Sequence, residues 1–315
     1  MAGASTRTVA FLLDDVTGPF FAHIAQGVEQ QATADGRLCL ACTTQGDQER
    51  ELAVIEVMRE QHAEAVILVG VGREDAEYRQ RMARVADALD KAGSRLVLYG
   101  RPSLGEGGPA TVVEYDNEGG AYALTSYLLS AGHRRIAFLG RRPGFTTTSE
   151  RIAGFRRAHQ KFGVELDPDL VLTGAFTRTY GYEAARRLLA NRADVTATFA
   201  ATDMIAAGVL QALREATVRV PDDVSVVGYD DVPLAVDVVP SLTTVHVPHE
   251  ELGRTAVRLA LHRTVTSMSC SARTSSSATR WLLSHLHRAG VEPPNRAHHM
   301  TCALSCEIDV RDKSR

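Results

Sequence analysis

The fold is decided by residues 198–245, which read TFAATDMIAAGVLQALREATVRVPDDVSVVGYDDVPLAVDVVPSLTTV. An apolar strand is predicted from Ala197 to Ala201, and it ends at the polar turn Thr202-Asp203. A helix follows, because the next apolar residues recur at helical spacing. A second apolar strand, from Val224 to Val227, stops at Gly228-Tyr229-Asp230-Asp231. A buried parallel strand that ends in an acidic loop led by glycine is where open α/β sheets place their ligands.

The same alternation of short apolar strands and amphipathic helices extends through residues 1–262. Further strands are predicted at residues 9–13, 38–43, 65–69, 96–99, 136–139 and 170–172, and further helices at about 48–61, 118–130, 149–162, 179–190 and 249–262. Strands and helices at this spacing indicate parallel sheets with right-handed crossovers. The predicted class is therefore α/β.

Two doubly wound parallel-sheet lobes explain this pattern better than one continuous sheet. We expect residues 1–114 and 243–262 to form the N-terminal lobe, and residues 115–242 to form the C-terminal lobe. The extended segments Thr111–Tyr115 and Ser241–Val247 would cross between the lobes. A hinged cleft between two such lobes is a natural site for a small molecule.

Composition excludes several classes of protein. The chain has 315 residues and a formal net charge of −3, and no run approaches the roughly 18–20 apolar residues that span a membrane. The N-terminus lacks the pattern of a secretion signal, so a cytoplasmic protein without a membrane partner is expected. Residues 1–262 carry 27 Lys and Arg against 34 Asp and Glu, which is a poor match for a surface that must neutralise phosphates.

No catalytic, cofactor or metal site is predicted. The chain contains no GxSxG, HExxH or P-loop pattern. Cys39 and Cys42 have the spacing of redox and zinc sites, but they fall on a predicted strand, where side chains three apart point to opposite faces. His246 and His249 are separated by Pro248, which prevents one helix from aligning them.

Residues 263–315 differ in kind from the rest of the chain. They hold nine serines against eight in residues 1–262, and the run Ser269–Thr279 shows neither a strand nor a helix period. One hypothesis is a reading frame that shifts after Arg263, or a replaced C-terminus. The alternative is a natural disordered extension.

Three side chains stand out on the loops that follow strands. Phe20 is expected to lie at the mouth of a loop, because Phe21 is the residue that begins the apolar face of the following helix. The alternative is that these aromatics form a hydrophobic staple at the start of the helix. Arg151 falls in the first turn of a helix that Ser149 can cap, where a cation opposes the helix dipole; an exposed ion pair is the alternative. Asp230 can accept two hydrogen bonds from vicinal hydroxyls, or it can serve as a turn residue.

The chain resembles the LacI/GalR-type transcriptional regulators. The resemblance rests on GYDD at residues 228–231, on the PSLTT segment at 240–244 and on SERIAGF at 149–155, and it covers about residues 7–262. It implies a periplasmic-binding-protein-like fold that senses a small effector, a sugar or sugar derivative. The ligand-binding residues it implies are Phe20, Arg101, Arg151, Phe176, Thr202 and Asp230. Thr202 offers a hydroxyl where an amide is common, and Asp203 is expected to cap the next helix.

The predicted function is the effector-sensing and dimerising region of such a regulator, without a cofactor and without enzymatic activity. In that family a helix-turn-helix head and a hinge helix precede the segment that begins here at Thr6-Arg7-Thr8. Operator DNA is therefore an expected partner only if a head is present upstream. The alternative is a solute-binding protein of a sugar transporter, against which the missing secretion signal counts. An enzyme on the same scaffold is a third hypothesis.

Overall fold

The computed structural model describes residues 7–14, 16–70, 72–105, 108–191 and 194–262, together with the backbone of 268–270. The strands are β1 (Thr8–Leu13), β2 (Leu38–Thr43), β3 (Ala65–Val69), β4 (Arg95–Tyr99), β5 (Thr111–Tyr115), β6 (Ile136–Arg141), β7 (Val171–Thr173), β8 (Ala197–Ala200), β9 (Ser225–Asp230), β10 (Thr243–His246) and β11 (Met268–Cys270). The helices are α1 (Pro19–Ala34), α2 (Gln48–Glu60), α3 (Ala76–Lys91), α4 (Asn117–Ser130), α5 (Thr146–Phe162), α6 (Arg178–Ala190), α7 (Asp203–Glu215), α8 (Leu234–Asp237) and α9 (His249–Leu261).

These strands form two parallel sheets, one in each lobe. The first sheet has the order β11-β5-β4-β3-β1-β2, and the second has the order β10-β9-β8-β6-β7. Helices cover both faces, which is why a strand such as β3 (AVILV) is buried along its whole length. The predicted α/β class with two doubly wound lobes is confirmed.

The chain crosses between the lobes at slightly different places than the sequence predicts. Thr111–Tyr115 is the strand β5, which pairs with β4 in the first sheet rather than bridging the lobes. Thr243–His246 is the strand β10, which pairs with β9 in the second sheet. The lobe boundary expected at residue 243 therefore moves to residues 247–248, just before α9. Helix α9 then packs against α1 in the first lobe.

Two element boundaries that bear on the site also differ. Helix α5 begins at Thr146, and Phe145 is its N-cap residue without a side-chain cap. Ser149 therefore does not cap the helix, and Arg151 lies in the second turn rather than the first. Strand β9 continues through Gly228 and Tyr229 to Asp230, so it does not stop at the glycine.

The CxxC pair lies on β2, as the sequence predicts. Cys39 packs against the apolar cluster that contains Val9, whereas Cys42 packs against the cluster that contains Leu12, on the other face of the sheet. The prediction that these side chains point to opposite faces is confirmed. Burial raises the pKa of the Cys39 thiol to about 11, which suits an inert cysteine.

The C-terminal tail contributes one strand to the described structure. The backbone of β11 runs parallel to β5, with Met268 opposite Val113. The expectation that no strand occurs from Ser269 onward is therefore wrong for Ser269 and Cys270. The remaining tail predictions, for residues 263–267 and 271–315, lie outside the described residues. Within the part of the chain that is described, no helix is long and apolar enough to cross a membrane.

Candidate functional site

A pocket lies where the carboxyl ends of the strands in the two sheets face each other. It is narrow, with a cavity volume of about 40 Å³. We call it the cleft pocket, and its walls are formed by Phe20, Gly70, Tyr99, Gly100 and Tyr115 from the first lobe and by Thr147, Arg151, Phe176, Thr202 and Asp230 from the second. Five of the six residues that the family resemblance implies meet in this pocket; the exception is Arg101.

Arg151 forms the centre of the polar wall. Its Nε donates to Asn117 Oδ1 at 2.9 Å, one terminal nitrogen donates to the Ala201 carbonyl, and the other donates to Asp230 Oδ1 at 3.2 Å. The guanidinium also lies over the Tyr229 ring, 3.6 Å from its centroid. These contacts hold the guanidinium from several sides, so its position in the pocket is fixed before a ligand binds.

The ion pair between Arg151 and Asp230 is buried, since Arg151 is only 1% exposed and Asp230 only 7%. The alternative of an exposed ion pair at Arg151 is therefore wrong. Burial opposes the charged guanidinium most strongly, but Asp230, Tyr115 and Tyr229 together outweigh it, and the pKa of Arg151 is raised. For Asp230 burial is the larger effect, and it raises the carboxyl pKa to about 6 although Arg151 acts in the opposite direction.

The backbone at the end of β9 adopts a conformation that few residues tolerate. Asp230 has a φ of 107° and Asp231 a φ of 56°. Positive φ values are uncommon outside glycine, and they concentrate at ligand-binding and catalytic sites. Here the conformation directs the Asp230 carboxylate toward Arg151, while Asp231 turns away and bonds His246 Nδ1 at 2.8 Å.

Thr202, rather than Asp203 as the sequence predicts, caps helix α7. Thr202 is the N-cap of α7, since its hydroxyl accepts from the Ile205 N–H at 3.4 Å. Asp203 is fully buried and accepts from the Val232 N–H at 3.0 Å and from the Thr244 hydroxyl at 2.6 Å. Burial, reinforced by the nearby Asp230, raises the pKa of Asp203 to about 8 despite these hydrogen bonds. Thr202 thus serves both as a helix cap and as part of the pocket wall.

Two aromatic rings form the apolar walls of the cleft pocket. Phe21 packs inward, and Phe20 remains half-buried at the pocket, as the sequence predicts. Phe176 lines the second lobe after β7, beside Arg142, whose guanidinium carbon is 5.4 Å from the ring centroid. Phenyl faces of this kind can pack against the C–H faces of a ring-shaped ligand.

Arg101 lies outside the cleft pocket. Its guanidinium donates to both Glu51 oxygens, at 3.2 and 2.7 Å, and also bonds Tyr78 Oη at 2.5 Å. The residue lines a neighbouring cavity of about 230 Å³ together with Glu114 and Glu150. Its charge is therefore neutralised inside the first lobe, and the structure gives it a structural role.

Besides the other residues of the pocket wall, sequence reasoning missed Asn117, Tyr229 and His249, which lie next to it. Asn117 and Tyr229 hold Arg151, and both stand in motifs that the sequence already marks, directly after Asp116 and within GYDD. His249 Nδ1 lies 3.0 Å from the Tyr99 hydroxyl, and burial lowers the pKa of His249 to about 3. Asp116 caps α4 by accepting from the Gly119 N–H, which favours the structural interpretation of that residue.

The two lobes also touch directly at the rim of the cleft. Residues 72–74 of the first lobe and 144–146 of the second form an antiparallel contact, which we call the latch. The Glu74 N–H donates to the Gly144 carbonyl at 3.1 Å, and the Thr146 N–H donates to the Gly72 carbonyl at 3.1 Å. Arg73 and Phe145 lie opposite each other between these two hydrogen bonds and form an isolated antiparallel β-bridge. The latch therefore joins the lobes through main-chain groups.

Comparison with known proteins places the chain in a family. A model of the periplasmic binding protein-like domain matches residues 125–275. The chain is 30% identical over 260 residues to the ribose operon repressor of Escherichia coli (strain K12), covering 82% of this chain and 76% of that protein. It is also 30% identical to a solved regulator of the LacI family from Sanguibacter keddieii, with a TM-score of 0.69 and coverage of 82% and 89%. The chain belongs to the LacI family of transcriptional regulators.

Other members of the LacI family agree with this assignment. The regulator DegA of Bacillus subtilis is 31% identical, with 82% of this chain and 75% of DegA covered. The solved complex of the regulator CelR with cellobiose is 32% identical, with a TM-score of 0.71 and coverage of 85% and 83%. These relatives are regulators, which favours that function over a solute-binding component of a transporter.

Proposed function

We propose that this region senses a sugar or a closely related polyol, which binds in the cleft pocket and thereby regulates transcription. The observation that carries the proposal is the buried pair of Arg151 and Asp230, held between two lobes and flanked by Phe20 and Phe176. The ribose operon repressor and the CelR–cellobiose complex support the ligand class.

The chemistry of the pocket suits a polyhydroxylated ligand. Arg151 supplies charged N–H donors, and the Asp230 carboxylate can accept two hydrogen bonds from neighbouring hydroxyls. Thr202 offers a hydroxyl, which both donates and accepts. Phe20 and Phe176 would pack against the apolar C–H faces of the ring.

Lobe closure would convert binding into a regulatory signal. Phe20 belongs to the first lobe and Arg151, Phe176 and Asp230 to the second, so a ligand that contacts all four binds the closed arrangement more tightly. In this proposal closure modulates operator binding by a helix-turn-helix head, and the regulator acts as a homodimer in the cytoplasm.

A thermal-shift screen of the full chain against pentoses, hexoses and disaccharides, including ribose and cellobiose, tests the ligand class. Calorimetry on each hit then compares Arg151→Gln with Arg157→Gln, which removes an exposed arginine from the same helix. Each charged hydrogen bond contributes about 1.5–3 kcal/mol, so the first variant should lose about 10-fold or more in affinity. The Arg157 variant should bind as the parent does.

Two results would contradict the proposal. A panel in which no sugar or polyol raises the melting temperature would argue against the ligand class. A folded Arg151→Gln protein that binds the hit with unchanged affinity would show that the ligand lies elsewhere.

A further inference from the structure

Two arginines at the rim of the cleft have no function in the site described so far. Arg73 follows β3 in the first lobe, and Arg142 follows β6 in the second. Both guanidinium groups lie over the ring of Phe145, with their central carbons 5.3 and 4.0 Å from its centroid. Arg142 also lies 5.4 Å from the centroid of Phe176, which lines the cleft pocket. We call Arg73 and Arg142 the rim arginines.

The rim arginines lack a carboxylate partner among the described residues, where no oxygen of an Asp or Glu comes within 4.0 Å of either guanidinium. Among the described residues, the Arg73 guanidinium donates to the Gly46 carbonyl, at 3.5 Å. Asp14 acts on Arg142, and Glu51 acts on Arg73, from a longer distance. Burial and the neighbouring Arg73 together lower the pKa of Arg142. Neither rim arginine therefore forms a direct ion pair with a carboxylate of the described residues.

The latch does not explain why arginine is present at these two positions. Its hydrogen bonds join main-chain groups of Glu74, Gly144, Thr146 and Gly72, and they do not use the side chain of either rim arginine. Two like charges over one ring repel each other, so their convergence weakens the contact between the lobes unless an anion lies between them.

We propose that the effector carries an anionic group, a phosphate or a carboxylate, that binds between Arg73 and Arg142 while its polyol part occupies the cleft pocket. This inference rests on the proposed function. The planar guanidinium fork can donate two parallel hydrogen bonds to either kind of anion. Because one arginine belongs to each lobe, the anion would also remove the repulsion between them and draw the lobes together.

Matched pairs of ligands test the inference on the full chain. Calorimetry compares ribose with ribose 5-phosphate and glucose with glucose 6-phosphate and with gluconate, so that the phosphate and carboxylate sources are separated. We expect at least one anionic member to bind about 10-fold or more tightly than its neutral partner. This advantage should fall as salt is raised, since solvent-exposed charges are screened.

Variants locate the anion. Arg142→Gln should remove most of the advantage of the anionic ligand and leave the affinity for the neutral sugar nearly unchanged. Arg141→Gln removes the neighbouring exposed arginine and serves as the matched control, with the advantage retained. Arg73→Gln should act as Arg142→Gln does, because the two residues bind the same group from opposite lobes.

Two outcomes overturn the inference. One is that no anionic ligand binds more tightly than its neutral partner. If the neutral sugars still bind, and Arg151→Gln weakens their binding, the proposed function stands and only the anionic group is refuted. The other is an advantage that persists in the double variant of Arg73 and Arg142, which would place the anion elsewhere.

Discussion

Replacing Asp203 by asparagine should stabilise the protein, which is unusual for a fully buried polar residue. The folded pKa of Asp203 is about 8, whereas its ordinary value is 3.8. At pH 7 the folded protein therefore keeps a proton that the unfolded chain has released. About three units separate pH 7 from the ordinary value, and each unit corresponds to about 1.36 kcal/mol, so the cost of folding is at most roughly 4 kcal/mol.

Asparagine removes this cost and can keep both hydrogen bonds of Asp203. Its carbonyl oxygen can accept from the Val232 N–H, and its amide can donate to the Thr244 hydroxyl. We expect Asp203→Asn to raise the free energy of unfolding by about 1–4 kcal/mol at pH 7. Because the folded pKa is raised, the parent loses stability as the pH rises from about 4 to about 8, and the variant should lose less.

Urea unfolding of parent and variant at pH 4, 5, 6, 7 and 8 measures this difference. The two proteins should be nearly equal at pH 4 and diverge steadily above it. If Asp203→Asn is less stable than the parent at pH 7 by an amount that does not change with pH, the carboxyl is ionised in the folded state and the reasoning fails.

Two further substitutions test the packing around the site. Gly228→Ala should lower the free energy of unfolding by about 1–3 kcal/mol, because the new methyl would lie 2.2 Å from Asp203 Oδ1; Gly108→Ala, where nothing lies within 4 Å, is the control. Arg101→Met should cost about 3–5 kcal/mol in chemical unfolding, because it leaves the buried carboxylate of Glu51 without its partner.

The Arg101 substitution also distinguishes a structural role from a ligand contact. Arg81→Met, which breaks the more exposed pair with Glu49, should change stability by less than about 1 kcal/mol. If Arg101→Met proves as mild as this control, or if it abolishes effector binding in a protein of unchanged stability, Arg101 acts in the pocket rather than in the first lobe.

The repeated strand and helix pattern made the fold predictable from sequence. Strands such as Leu38–Thr43 and Ala65–Val69 are continuous apolar runs, and the structure places both between the predicted bounds. Boundaries set by tertiary contacts were not predictable. Helix α5 starts at Thr146 because the latch bonds its first residue to Gly72, and this contact joins residues far apart in sequence.

Site residues could be predicted from the sequence where they directly follow a strand. Their roles could not be predicted where two adjacent side chains can make the same hydrogen bond. Asp230 could be chosen because it follows a buried strand. Arg151 could be chosen from the family resemblance, whereas the argument from the first helical turn fails, because Arg151 lies in the second turn of α5. The role of Asp203 could not be chosen, since both it and Thr202 can cap a helix. Only the structure shows which of the two caps the helix, because it places the Thr244 hydroxyl of β10 where it donates a hydrogen bond to Asp203.

The latch has a consequence for how this protein could change its ligand. A substitution alters a side chain and leaves the peptide N–H and C=O groups intact, so most mutations in the loops would preserve the junction between the lobes. Gly72 is an exception, because a Cβ there would lie 2.3 Å from Pro102 Cδ. It should therefore be possible to change the effector specificity by replacing side chains in the pocket wall. The main-chain contacts that join the lobes, and the closing movement, would stay the same.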